Sequence, residues 1–298
     1  MSRLRLPDST KVRVGLVIFG FFVLVALVGP TVVTHVFGLS ATELDVDHLR
    51  EAPSGSHWLG TDKNGRDLLA RLVVGTRTSL QIGLLAGLIA TGLATLLGIA
   101  GAYIGGRTDA FLTAFTNIFL VIPGLPLLII VGSYVKGRGG WWVTALIIGL
   151  TSWAGGARQK RAQALSLRNR DFVTATEMLG ESRRRVIVFE LVPHLAPLIA
   201  ASLLFSVVGA IFAEAGLAFI GAGNPSIISW GMLINDAGPN ALFNGEWWTF
   251  VPPAACIALL GTAAGLINFG IDEISNPRLR TVARKASTRL TALTGAKR

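Results

Sequence analysis

Uncharged runs of bilayer-crossing length recur along this chain, and they limit it to a helical membrane protein. Val14 to Val33, Leu80 to Gly106, Ala110 to Val135, Gly139 to Ala157 and Trp247 to Ile271 contain no Asp, Glu, Lys or Arg. A helix needs about 20 such residues to cross the hydrocarbon core. From Leu195 a further apolar stretch exceeds that length and is broken only by Glu214. The pattern predicts six transmembrane helices in an all-α fold. Half the residues are hydrophobic (51%) and only 15% are charged, which excludes an ordinary soluble domain. The first run is longer than a signal-peptide core and lacks a small-residue cleavage site before Thr34-His35, so it reads as an uncleaved span.

The net charge of +10 raises the question of nucleic acid. The basic residues are split among short segments between apolar runs, which fits a lipid surface instead, with no nucleic-acid partner. Their distribution also sets an orientation. With the N-terminus inside, twenty Lys and Arg fall on cytoplasmic segments and seven outside. Both termini are therefore expected in the cytoplasm. The expected layout is a cytoplasmic N-terminus over 1–13, a first span over 14–36 and an external segment over 37–76. A membrane core over 77–274 and a basic tail over 275–298 follow.

The one long polar interruption in the second half, Arg158 to Pro197, is then cytoplasmic. Within it Phe172, Ala175, Thr176 and Leu179 fall at i, i+3, i+4 and i+7, one face of a short helix. Asn169 or Asp171 can cap its start and Gly180 can end it. An amphipathic helix isolated between spans has little soluble core of its own to pack on, so its face is available to a docking partner. Arg183 to Arg185 follow Ser182, and cations in a first helical turn oppose the helix dipole. Lipid phosphates or acidic groups of a docked subunit would compensate them.

Other features carry less. Burying Glu214 costs roughly 2.5–3.5 kcal/mol on insertion scales, so it must face the bundle interior. It is either a pathway or gate residue or a helix-end carboxylate held by backbone donors. Pro123 and Pro126 predict a kink in the third span. Gly83 and Gly87, Gly101 and Gly105, and Gly261 and Gly265 have the four-residue spacing of close helix contacts. Gly60-Thr-Asp-Lys-Asn-Gly65-Arg66-Asp67 has the glycine spacing of a phosphate loop, but Arg-Asp stands where Lys and Ser/Thr must be, which rejects nucleotide binding. The four histidines, His35, His48, His57 and His194, have no nucleophile beside them, and Cys256 is a lone apolar cysteine. No catalytic, cofactor or metal set is expected on this chain.

These residues resemble a family. Phe172-Val-Thr-Ala-Thr-Glu-Met-Leu-Gly180, with Val186-Ile and Leu191-Val-Pro193, is similar to the EAA loop of permease subunits of ATP-binding-cassette importers. His57-Trp-Leu-Gly-Thr-Asp62, Gly65-Arg-Asp67, Arg71 and Gly75-Thr-Arg-Thr-Ser-Leu80 resemble the signature of the second permease of dipeptide, oligopeptide and nickel importers. Glu214 to Gly223, Ser229-Trp-Gly231 and Asn276-Pro-Arg-Leu-Arg280 continue it. The resemblance implies a type I importer permease fold in a bacterial inner membrane. It implies a homologous second permease, two cytoplasmic ATPase domains that carry ATP and Mg, and an external binding protein. It also implies that Asp171, Phe172, Ala175, Thr176, Leu179 and Gly180 couple to an ATPase groove, and that Pro193 ends the segment that follows. Two departures stand out. The family's paired alanines are Ala175-Thr176 here, and the run Asn224-Pro-Ser-Ile-Ile-Ser-Trp-Gly231 is less proline-rich than in peptide permeases. Peptides are the expected cargo, with oligosaccharides, nickel or glutathione as alternatives on the same scaffold. A proton-coupled carrier would need more intramembrane ionisable groups than Glu214.

Overall fold

In a computed structural model, which describes residues 10–135, 137–239 and 241–275, the chain is all-helical. Residues 1–9 and the basic tail beyond Ser275 lie outside the described residues. Four helices are long and apolar enough to cross a membrane, and a fifth span arises if one bent pair counts as one. The first is α1, Thr10–His35, which contains the expected run from Val14.

The second helix, α2, runs from Leu68 to Ile104, and it starts twelve residues before the uncharged run does. Asp67 sets the start: its Oδ1 accepts from the Ala70 amide at 2.8 Å. At 37 residues α2 is about 55 Å long, more than the hydrocarbon thickness. It is the hub of the bundle and packs on α1, α5, α6 and α9. Its approach to α9 depends on two of the expected glycines. A Cβ on Gly83 would lie 2.7 Å from Ile211, and one on Gly87 2.7 Å from Val207. The Gly261–Gly265 pair has no such role, because a Cβ at Gly265 meets nothing.

The third expected span is broken more sharply than a kink. α3 (Gly106–Val121) and α4 (Gly124–Val135) meet at 83° around Pro123. Proline removes an amide donor and its ring excludes the preceding turn, so the chain changes direction there. The fourth run is divided at Ser152-Trp153 into α5, Trp141–Thr151, and α6, Ala154–Arg168. The polar stretch expected to open as a loop at Arg158 is therefore helical to Arg168. Its charges are satisfied locally: Arg161 makes two 2.7 Å bonds to Asp109 on α3, Arg158 reaches Asn117, and buried Lys160 donates to Ser202 at 2.8 Å.

After the short α7 (Asp171–Met178), α8 (Arg183–Arg185), a π-helical stretch (Val186–Leu191) and α9 (Val192–Phe219) form one continuous rise of 37 residues. Pro193 does not end this segment, contrary to expectation. In the π stretch the Val192 amide bonds to Ile187 O, five residues back, and Pro193 enters the first turn of α9. The helix runs on through Pro193, and the wider π turn just before it is where the hydrogen-bond ladder adjusts. α10 (Trp230–Ala237) is a short helix tucked between α9 and α11 (Trp247–Ser275). Phe22, Ile211, Trp230 and Leu260 join α1, α9, α10 and α11 in one core.

Candidate functional site

Three groups of residues are organised beyond what packing alone requires: α7 at one end of α2, a buried polar knot around Glu214, and a charge cluster at the start of α2.

At α7 the Ncap position is Arg170, which is extended and makes no side-chain cap. Neither Asn169 nor Asp171 fills that role, although Asp171 sits in the first turn, where a negative charge favours the helix dipole. The end is a Schellman turn. Gly180, at φ +77°, donates to Glu177 O at 3.0 Å, and Glu181 donates to Thr176 O at 3.4 Å. Gly180 is thus the terminator the sequence anticipates.

The expected face divides in two. Phe172 is half-buried and stacks on His194 with ring centroids 4.3 Å apart. Thr176 is half-buried, and its hydroxyl returns to Phe172 O at 2.8 Å. Ala175 is exposed, and Leu179 is 82% exposed beside Met178 at 83%. The helix is held by residues outside that face. Val173 is fully buried against Tyr103, Val186 and Leu191, a burial that contributes about 1.5–3 kcal/mol. Tyr103, near the end of α2, donates to Glu177 Oε1 at 2.8 Å. Val173 and Glu177 are an i, i+4 pair, so the sequence did contain this anchoring side. So α7 is held by Val173 against the π stretch and by Glu177 on Tyr103 of α2, and presents an apolar tip of Ala175, Met178 and Leu179.

Glu214, on α9, is 2% exposed. Ser229 donates to its Oε1 at 2.6 Å, while Oε2 has no hydrogen-bond partner and faces Gly231. Ser229 also caps α10, accepting from the Met232 amide at 3.2 Å. The Trp230 amide donates to Ser79, and its indole N–H donates to Thr76 at 3.2 Å. Glu214 therefore faces the bundle interior, as its insertion cost requires, and joins α9 to the start of α10. None of the described cavities is lined by it.

The other end of α10 is held by charge. Asp236 receives Arg71 Nη2 at 2.8 Å, Arg66 Nη2 at 3.2 Å and Lys63 Nζ at 3.1 Å. Asp62 receives Arg71 Nη1 at 2.6 Å and Arg66 Nε at 2.8 Å. The Arg71 side chain is 3% exposed and that of Asp62 4%. Within residues 60–71, the stretch read in the sequence as a rejected phosphate loop and part of a family signature, Asp62 and Arg71 form a buried ion cluster clamped onto Asp236. Outside the spans, the nearby Asp45 carboxylate hydrogen-bonds His48 and raises its pKa above the ordinary 6.5, while His48 in turn lowers that of Asp45.

Residues 90–281 match the family model described as binding-protein-dependent transport system inner membrane component. The chain belongs to this family. It is 34% identical to the oligopeptide transport system permease protein OppC of Mycobacterium tuberculosis over 246 residues, 82% of this chain and 84% of that protein. It is 34% identical to the dipeptide transport system permease protein DppC of Bacillus subtilis over 279 residues, 93% of this chain and 84% of that one. OppC of the same bacterium is 31% identical over 281 residues, covering 94% and 89%.

Proposed function

We propose that this chain is one of two permease subunits of an ATP-driven importer and forms half of the pathway for di- and oligopeptides. The names of the relatives support the cargo. The observation that carries the coupling role is the exposed Ala175, Met178 and Leu179 tip on a helix anchored by Val173 and by Glu177 on Tyr103. An apolar tip held rigidly in the open fits insertion into a groove of a soluble partner.

In this reading there are six spans: α1, α2, the α3–α4 pair, α5 with α6, the rise from Arg183 to Phe219, and α11. The positive-inside count places both termini and α7 in the cytoplasm and the 37–67 segment outside. Two ATPase domains bind and hydrolyse ATP with Mg, and one of them seats α7. Asp171, Phe172, Ala175, Thr176, Leu179 and Gly180 make up the docking element, and a binding protein delivers peptide to the outer face. Closure of the ATPases displaces α7. Glu177 on Tyr103 passes that displacement to α2, which reaches the Asp62–Arg71–Asp236 clamp at its far end. Glu214 and the clamp hold α10 at its two ends, so α10 is the gate element on this subunit.

The test is Leu179→Arg in the assembled importer reconstituted in vesicles. Leu179 is exposed, so insertion and folding are expected to persist. ATP hydrolysis should continue while uptake of labelled di- and tripeptides is lost. Normal uptake in this variant would remove the docking role from α7. Uptake of oligosaccharides in preference to peptides by the unaltered complex would overturn the cargo assignment.

A further inference from the structure

The 37–67 segment gathers a set of donor atoms that the transport reading does not use. Asp45, His48 and His57 each place one ligand-type atom within 4.8 Å of the others. The His48 and His57 rings have centroids 5.7 Å apart. Glu51 Oε2 lies 3.9 Å from His48 Nε2 and has no hydrogen-bond partner. We propose that Asp45, His48 and His57 bind one divalent transition-metal ion of the zinc class, with Glu51 beside His48 on the other ring nitrogen.

The scaffold under these groups is fixed. Thr61, fully buried, donates to the His48 carbonyl and accepts from the Glu51 amide at 2.8 Å. The Thr61 amide donates to Glu51 O at 3.0 Å, and the Arg50 amide to Asp62 O at 3.0 Å. Gly65, at φ +76°, lies so close to the Asp45 carbonyl that any side chain there would collide with it. The 45–51 turn is thereby lashed to the same loop that forms the buried charge cluster.

His57 is oriented from behind. Its Nδ1 is 3.0 Å from Asp67 Oδ2, and Asp67 is itself fixed by capping α2 through Oδ1. A carboxylate on Nδ1–H leaves the Nε2 lone pair free, the arrangement that commonly supports a metal-bound histidine. His48 bonds Asp45 Oδ2 through Nδ1 at 2.8 Å. Metal binding exchanges that one hydrogen bond for two metal–ligand bonds.

The donor set decides the metal class. Two imidazoles with a carboxylate suit zinc, cobalt or nickel, whereas magnesium and calcium prefer all-oxygen sites. One carboxylate and two neutral imidazoles make three protein ligands and leave a position for water, while the Glu51 carboxylate beside His48 adds negative charge. Arg50, the cation in this turn, is already engaged by Glu246 at 2.8 Å. Tetrahedral ligands at about 2.0–2.1 Å from zinc lie roughly 3.3 Å apart, so the donors must close by about 1.5 Å. Asp45 and His48, with side chains 41% and 48% exposed, have the freedom to do so.

The test uses the full chain in detergent, purified without a histidine tag. Cobalt titration should give a visible ligand-field band saturating at one ion per chain, displaced by zinc and not by a hundredfold excess of magnesium. His48→Gln and Asp45→Asn, on the exposed side of the turn, should each weaken binding at least tenfold without changing the thermal unfolding temperature measured without metal. Hydrogen exchange of residues 45–51 should slow on adding zinc to the native chain and stay unchanged in His48→Gln. Either of two results would overturn the site: cobalt or zinc binding that both substitutions leave unaltered, or native affinity no greater than for magnesium.

Discussion

Replacing Asp236 by asparagine tests whether charge holds α10 in place. In the native fold the two carboxylate oxygens of Asp236 take Arg71, Arg66 and Lys63. Asparagine keeps the shape but removes the charge and turns one acceptor into a donor facing cations. Arg66 and Arg71 then share the single carboxylate of Asp62, and Lys63 loses its Asp236 contact. Arg71 cannot relax into water, because its side chain is 3% exposed. Breaking a buried pair costs about 3–5 kcal/mol, and losing a hydrogen bond to a charged group about 1.5–3 kcal/mol. Asp236 is 17% exposed and Asp62 remains, so the expected loss falls in the lower of these ranges, at roughly 2–3 kcal/mol. That corresponds to about a 30- to 140-fold rise in the opening equilibrium of α10. Amide exchange along α10, read by mass spectrometry under conditions where closing outpaces exchange, reports that ratio directly. Glu246→Gln is the comparator. It breaks the more exposed Arg50 pair and should cost about 0–1 kcal/mol. If α10 exchanges within threefold of the native rate in Asp236→Asn, the clamp does not hold this helix.

Three further substitutions probe the other contacts. Tyr103→Phe removes the bond to Glu177 and should lower peptide taken up per ATP hydrolysed, with little change in unfolding temperature; an unchanged ratio would show that this bond transmits nothing. Glu214→Gln places a buried amide where Oε2 has no partner, and should destabilise by about 1–3 kcal/mol and alter uptake; if folding and uptake both stay native, Glu214 has no part in the gate. Gly87→Val inserts atoms where a Cβ already lies 2.7 Å from Val207, and should cost about 1–3 kcal/mol or more by thermal unfolding, whereas a native unfolding temperature would mean α2 and α9 can separate freely.

What the sequence reveals depends on whether the determining interaction is local. α1 and α11 are legible because an uncharged run is its own signal, and Gly180 is legible because a left-handed terminator favours glycine. The start of α2 at Leu68 is not, since Arg71 and Arg77 count against a span until Arg71 is seen paired with Asp236, far along the chain. The π stretch before Pro193 has no local pattern to announce it. The face of α7 is half legible. Phe172, Ala175, Thr176 and Leu179 mark an apolar stripe, but which side is anchored depends on Val173 meeting Val186 and Leu191, and on Glu177 meeting Tyr103. Periodicity identifies a face and cannot say whether the fold or a partner covers it.

The contrast between continuous and interrupted helices bears on how a push at α7 would travel. α3–α4 bends by 83°, α5 and α6 are separated at Ser152-Trp153, and the rise from Arg183 carries a π turn. Breaks of this kind absorb displacement, because the local hydrogen-bond ladder is already interrupted. α2 has no such interruption between Leu68 and Ile104, and it is gripped at both ends, by Glu177 on Tyr103 and by Asp62 and Asp236 on Arg71. A rigid element held at two ends transmits a movement that its segmented neighbours would dissipate. Inserting a glycine pair into α2 at exposed positions, such as Leu84 and Leu88, should therefore reduce coupling more than the same pair placed in α5 at Trp142 and Leu146. The comparison is made as uptake per ATP hydrolysed at matched unfolding temperature. Equal losses at the two places would mean that α2 is not the element that carries the signal.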